Sequence, residues 1–254
     1  MGTVAPVGGS RTARRQERHR LASWRRLRRC RSPAREARRS SLGCMTPYID
    51  KPTKPLTGFP SITVPPDLPL YRATSTDHSP WWFGSTGTQR FDLEPPDGTC
   101  YLAVDIETAV RERGRERLLN SGMMTTTQIA EMNVYELRLP TQVRVADTTD
   151  PKAVQFGANR ELTTTEDYAV SCAWAQAFHV EGYRGMVYTS RFTSGTEWTS
   201  LAVFNRTGDA RWPICGQLSG VDALLQSGLG YMIERPPRAA QADIVPPPPP
   251  LPKT

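Results

Sequence analysis

Five polar residues of this 254-residue chain stand beside apolar runs that would hold their side chains in place. Arg72 lies inside Leu70-Tyr71-Arg72-Ala73, and Arg90 precedes Phe91. Tyr101 opens an apolar stretch, Glu112 follows on a helical pattern, and Ser190 closes Gly185–Ser190. Arginine binds anions with a forked guanidinium, a carboxylate exchanges protons, a hydroxyl donates hydrogen bonds, and tyrosine adds an aromatic face. Pattern alone leaves their use open. An arginine in a short strand also points to solvent or pairs with a carboxylate. Glu112, inside Arg111-Glu112-Arg113-Gly114-Arg115-Glu116-Arg117, reads as a solvated helix face. It stands about 120° from the Ile106/Val110 stripe, a flank position that neither requires nor excludes a cleft. Ser190 alone says nothing.

Other chemistries lack their residues. Metal centres need converging His, Cys or carboxylate ligands, yet His19, His78 and His179 are far apart and no HExxH or CxxC occurs. No Walker A sequence is present. Gly84-Ser85-Thr86-Gly87 lacks the third glycine and the following helix of a dinucleotide fingerprint. A GxSxG nucleophile elbow is also missing. A metal is therefore not expected, and standard hydrolase, NTPase and Rossmann readings lose support.

The elements that would position these residues occupy about Asp67 to Arg235. Leu70–Ala73, Gln89–Phe91 and Thr99–Val104 read as strands, with a turn at Pro95-Pro96-Asp97-Gly98. Asp105 is placed to cap a helix reaching about Leu119, whose buried stripe is Ile106, Val110, Gly114 and Leu118. Tyr135, Leu137 and Leu139 alternate with Glu136 and Arg138, predicting a half-buried strand, followed by another near Val143–Val145. Thr163 and Glu166 resemble a capping box opening a helix to about Val180, with Val170, Trp174 and Phe178 on one face and Gly182 ending it. Gly185–Ser190, Leu201–Phe204 and Tyr231–Glu234 read as further strands. Without regular βαβ alternation the class is α+β.

Charge divides unevenly. The formal net charge is +7, but residues 1–44 carry 13 Arg and 2 Glu, so the remaining body is mildly acidic. A folded nucleic-acid-binding domain is disfavoured, because that function clusters basic residues on the domain itself. Residues 1–44 read as a disordered Arg-rich arm for RNA, DNA or anionic lipid, or as sequence upstream of a true start at Met45. Residues 45–66 read as a Pro-containing lead-in, and 236–254 as a Pro-rich disordered tail that is inert or meets an SH3- or WW-like groove. No run is long enough to span a membrane, and no secretory h-region follows the N-terminal charge. Five widely spaced cysteines predict free thiols and a cytoplasmic location.

In order, Leu70-Tyr71-Arg72, Gly87-Thr88-Gln89-Arg90-Phe91-Asp92, Pro95-Pro96-Asp97-Gly98-Thr99-Cys100-Tyr101-Leu102-Ala103, Glu107-Thr108-Ala109-Val110-Arg111-Glu112, Ala173–Phe178 and Gly185–Arg191 resemble the RES domain. The resemblance covers roughly residues 67 to 210, within a catalytic domain at 67–235. The Trp81-Trp82 pair departs from the family, either reshaping the cleft mouth or anchoring a loop on the core.

The resemblance implies a single ADP-ribosyltransferase-like domain with a mixed sheet and flanking helices. It implies NAD as substrate, no cofactor, and cleavage of the nicotinamide–ribose bond by hydrolysis or phosphorolysis, as the toxin of a toxin–antitoxin pair. Transfer of ADP-ribose to a protein is the alternative within the same site, and a silent binding protein acting through its tails is the alternative outside it. The family's arginine, glutamate and serine map to Arg72, Glu112 and Ser190. Arg72, Arg90, Tyr101 and Ser190 are the implied NAD-binding set: the arginines for pyrophosphate, Tyr101 for the nicotinamide ring, Ser190 for a phosphate or the ribose. Glu112 would hold ribose hydroxyls, stabilise charge on the sugar or activate water. The implied partners are a helix-turn-helix (Xre-type) antitoxin and, in a homodimer, a second copy of the chain.

Overall fold

An Asp side chain starts the helix that faces the site. In the structure, a computed structural model describing residues 49–75, 79–229 and 232–234, Asp105 Oδ1 accepts the amide of Thr108 at 2.6 Å and caps α1 (Ile106–Ser121). Gly122, at φ 63°, ends α1 in the left-handed region that glycine tolerates best. The expected stripe is buried at Val110, Gly114 and Leu118 and part-buried at Ile106. The helix is interrupted at Arg115 (φ 50°, ψ −146°). The other helices are α2 (Thr126–Ala130), α3 (Tyr168–Val180) and α4 (Gly220–Ser227), with 3-10 turns at Pro151–Phe156 and Arg160–Thr163.

The strands are β1 (Ser61–Val64), β2 (Leu70–Ser75), β3 (Trp82–Phe83), β4 (Asp97–Ala103), β5 (Met123–Thr125), β6 (Met132–Leu137), β7 (Val143–Asp147), β8 (Gly185–Tyr188), β9 (Ser200–Arg206), β10 (Gly208–Asp209), β11 (Ile214–Ser219) and β12 (Met232–Glu234). Eight form one mixed sheet in the order β1-β7-β8-β9-β4-β2-β6-β11. Within it β7 and β8 are parallel and every other neighbouring pair is antiparallel. β3 pairs with β10, and β5 runs parallel to β12. The α+β expectation therefore holds.

Both faces of the sheet are covered. On one, α3 packs Trp174 and Phe178 with Phe59, Met186 and Phe204, while α1 and α4 pack Val110, Leu118 and Ala223 with Met132 and Val134. On the other, Leu70, Trp81, Phe83, Cys100, Leu137 and Val203 form a further apolar cluster. β6 is thus buried on both faces rather than one: Val134 turns toward α1 while Leu137 joins the opposite cluster.

Three other expectations are corrected. Gln89–Phe91 is a turn, not a strand, because the Asp92 carboxylate accepts the Gln89 amide and ties the segment back on itself. No capping box opens α3. Asp167 caps it, accepting from Ala169 N at 3.0 Å, and Thr163 belongs to the preceding 3-10 turn. The folded unit also starts before Asp67: Ile49, Leu56 and Phe59 are buried, and β1 adds an edge strand. The expectations for residues 1–44 and 236–254 lie outside the described residues.

Candidate active site

The site lies where the sheet fails to close. β2 joins β6 through six consecutive residue pairs but touches β4 through one, Tyr71 with Ala103. Beyond that pair the two strands diverge, and a cleft of about 380 Å³ opens between them, reaching α1 on one side and the start of α3 on the other. Side-chain alternation distributes its walls. Tyr71 and Ala73 pack with the α1 cluster, whereas Leu70 and Cys100 belong to the opposite face. Arg72 leaves its strand on the Leu70 side and spans the gap. Its Nη1 donates to the carbonyls of Pro80 (2.8 Å) and Trp82 (2.9 Å) and to Cys100 Sγ (2.9 Å). The guanidinium thus stands in for the ladder bonds that β2 and β4 do not make.

On the β4 side of the gap, Gly84 exchanges both backbone hydrogen bonds with Thr99 (3.0 and 2.8 Å). Gly98 permits this approach, since a Cβ there would stand 2.9 Å from the carbonyl oxygens of Phe83 and Gly84. The chain then turns through Gln89–Phe91 and delivers Arg90 to the cleft. Asp92 holds this turn. Its Oδ2 accepts from Gln89 N (3.2 Å) and Thr86 Oγ1 (3.3 Å), and its Oδ1 accepts from the Tyr101 hydroxyl (2.9 Å). The Tyr101 hydroxyl in turn accepts the Phe91 amide at 2.9 Å. Burial raises the Asp92 carboxyl above the usual carboxylate range against these hydrogen bonds, and burial next to Asp92 pushes Tyr101 well above an ordinary phenol.

Glu112 enters from α1. Its neighbour Arg111 pairs outward with Glu107 at 2.8 Å, an i,i+4 contact of the solvated face, while Glu112 lines the cleft. Burial raises its carboxyl above the ordinary value, opposed by a hydrogen bond with Ser190 and by Arg115, Arg191 and Arg90. Arg90 donates through Nη1 to the Thr165 carbonyl and lies 4.9 Å above the Tyr168 ring. Burial, and next to it the repulsion of Arg191, lower its pKa, against the pull of Tyr168, Tyr188 and Glu112. Glu112 is thus a part-buried carboxylate among guanidinium groups, suited to accept a proton or face a developing positive charge.

Arg72, Arg90, Tyr101 and Glu112 therefore all line one cleft. Ser190 does not. It is 1% exposed, and its hydroxyl hydrogen-bonds Glu112 and accepts the Phe192 amide at 3.1 Å. Its backbone is fixed by Ser190 N donating to Thr199 Oγ1 at 2.9 Å. The structure places Ser190 behind Glu112 rather than against a ligand, so direct donation to phosphate or ribose is not its position here. Sequence reasoning missed Asp92, Arg191 and Tyr188. A carboxylate three residues past Gln89, closing an Asx-like turn, was the available signal for Asp92. The tryptophan pair is divided: Trp81 is buried in the core, as a loop anchor would be, and Trp82 lines the cleft. Among the described residues no group of three or more His, Cys, Asp or Glu converges as a metal site, and no helix is long and apolar enough to cross a membrane. Cys100, Cys172 and Cys215 are free thiols.

Comparison with solved structures finds a similar fold in a chain from the crystal structure of the M. tuberculosis MbcT-MbcA toxin-antitoxin complex. That chain is 15% identical, with a TM-score of 0.51, and the match covers 65% of this chain and 92% of the other. No curated protein sequence matches. The RES domain matches residues 69–216, from the strand that carries Arg72 to the edge strand β11. A match over more than half of the chain, enclosing the whole cleft, makes this protein a member of the RES domain family.

Proposed function

We propose that the protein consumes NAD by breaking the bond between nicotinamide and ribose. The observation that carries the reading is the placement of Glu112: a part-buried carboxylate beside Ser190 and three arginines, in a cleft that Arg72 spans from the far side. A dinucleotide brings a pyrophosphate for Arg72 and Arg90, which bind such anions through charge-assisted hydrogen bonds of roughly 1.5–3 kcal/mol each. Tyr101 presents a ring for the nicotinamide, its hydroxyl already committed to Asp92 and Phe91. Water or inorganic phosphate attacks the anomeric carbon. The C–N bond breaks, its electron pair leaves with nicotinamide, which departs neutral, and the proton of the nucleophile passes to the Glu112 carboxylate. Glu112 also faces the positive charge that develops on the sugar. No metal or cofactor enters this scheme.

Family membership and the fold shared with a chain of a toxin–antitoxin complex support a biological role as a toxin, held by a helix-turn-helix antitoxin. Free thiols fit a cytoplasmic setting. The test is NAD loss with purified protein, with and without phosphate, products resolved by mass. ADP-ribose marks hydrolysis, and ADP-ribose 1-phosphate marks phosphorolysis. Label carried from NAD onto protein marks transfer. Glu112→Gln keeps the side-chain shape and is expected to lower NAD turnover at least 100-fold. Turnover at the wild-type rate would remove Glu112 from the mechanism.

A further inference from the structure

We propose that Trp82 is the stacking platform for the adenine base of the dinucleotide, beside Arg72 in the cleft wall. The inference rests on the functional reading above and adds to it the residue that recognises the second base. Trp82 is 41% exposed and lines the cleft, although both its neighbours are buried. Trp81 is 1% exposed, packs at 4.9 Å from the Trp212 ring and donates its indole N–H to the Pro213 carbonyl at 3.1 Å. Phe83 is fully buried, 5.2 Å from the same Trp212 ring. The Trp82 backbone is fixed as well: it pairs with Asp209, and its carbonyl accepts from Arg72. The fold thus spends two buried aromatic anchors to hold one exposed indole on a rigid backbone.

Position selects the base. Glu112 enters from α1, on the Tyr71 side of the split, whereas the Trp82 backbone carbonyl is held by the guanidinium of Arg72, which places the residue next to Arg72 in the cleft wall. A dinucleotide with its reacting ribose at Glu112 and its pyrophosphate near Arg72 carries the adenine onward to Trp82. A purine on an indole face is a stacking contact that needs no hydrogen-bond code.

The test compares the full-length wild type with Trp82→Ala and Trp82→Phe. It reads KM and kcat for NAD and, independently of turnover, calorimetric affinities for ADP-ribose, which carries the adenine, and nicotinamide mononucleotide, which lacks it. For Trp82→Ala we expect KM for NAD and the Kd of ADP-ribose to rise about 5- to 150-fold, the loss of one base stack, with kcat held. Trp82→Phe retains most of the affinity, and nicotinamide mononucleotide binding changes less than twofold. Unchanged ADP-ribose affinity overturns the proposal, and a loss confined to nicotinamide mononucleotide would put the indole at the nicotinamide; an equal loss for both ligands also overturns it and makes the indole structural. If the wild type leaves NAD intact, the functional reading fails, while the ADP-ribose titration still decides Trp82.

Discussion

Replacing Ser190 by Ala tests whether this buried hydroxyl works through Glu112. Ser190 is 1% exposed and hydrogen-bonds the Glu112 carboxylate, which burial already pushes toward protonation. A hydrogen bond to a charged group contributes about 1.5–3 kcal/mol, and about 1.4 kcal/mol corresponds to one pH unit in a titration. Losing it withdraws support from the ionised form only. Glu112 must be ionised to accept a proton, so activity falls as pH drops through its raised pKa. In Ser190→Ala that acid limb is expected to move about one pH unit or more toward neutral, with Arg115, Arg191 and Arg90 still opposing the shift. The assay is kcat/KM for NAD between about pH 4 and 9, with melting temperature measured alongside because the Phe192 amide also loses its acceptor. A uniform loss at every pH, with the limb unmoved, would refute the argument and assign Ser190 a direct contact with substrate.

In Arg72 the Nη1 atom makes all three framework contacts and the planar guanidinium has two further nitrogens to offer an anion, whereas Arg72→Lys keeps the charge but has a single nitrogen for both tasks. NAD turnover is expected to fall more than tenfold, whereas a residue acting only as a point charge would tolerate lysine. Asp92→Ala strands the Tyr101 hydroxyl, the Gln89 amide and the Thr86 hydroxyl, and is expected to cost about 1–3 kcal/mol in denaturant unfolding. Its pH dependence has a defined sign. The folded pKa of Asp92 is raised, so its stabilisation is complete below the unfolded value and lost as pH rises through the folded one. The gap between wild type and Asp92→Ala narrows accordingly from acid to neutral pH.

What could be read from the sequence follows the range of the interactions involved. The start of α1 was legible because Asp105 and Thr108 are three residues apart, and its stripe because the period is local. The strand carrying Arg72 was legible as an apolar run. β1 was not: four residues among prolines carry no period, and only pairing with β7 makes them a strand. β11 and α4 escaped because Ile-Cys-Gly-Gln-Leu-Ser alternates weakly and the helix has eight residues. At the site, family resemblance gathered Arg72, Arg90, Tyr101 and Glu112, which pattern had left undecided. The depth of Ser190, the hub at Asp92 and the division of labour between Trp81 and Trp82 depend on contacts between distant segments. No local rule expresses them.

The single pair between β2 and β4 also divides the sheet mechanically. Five strands, β1-β7-β8-β9-β4, lie on one side of that seam and three, β2-β6-β11, on the other. Backbone bonding across it is one stitch, the thinnest ladder in the sheet, and the Arg72 side chain bridges it to Pro80, Trp82 and Cys100. Apolar packing crosses the seam on both faces, Leu70 and Leu137 with Cys100 and Val203 on one and Ala103 with Met132 and Val134 on the other, so side chains rather than backbone bonds join the two leaves there. Amide exchange in β2 beyond Tyr71 would then run faster than in β6, its fully paired neighbour, and slow when a ligand fills the gap. In this fold the cleft and the most thinly hydrogen-bonded line of the sheet are one and the same.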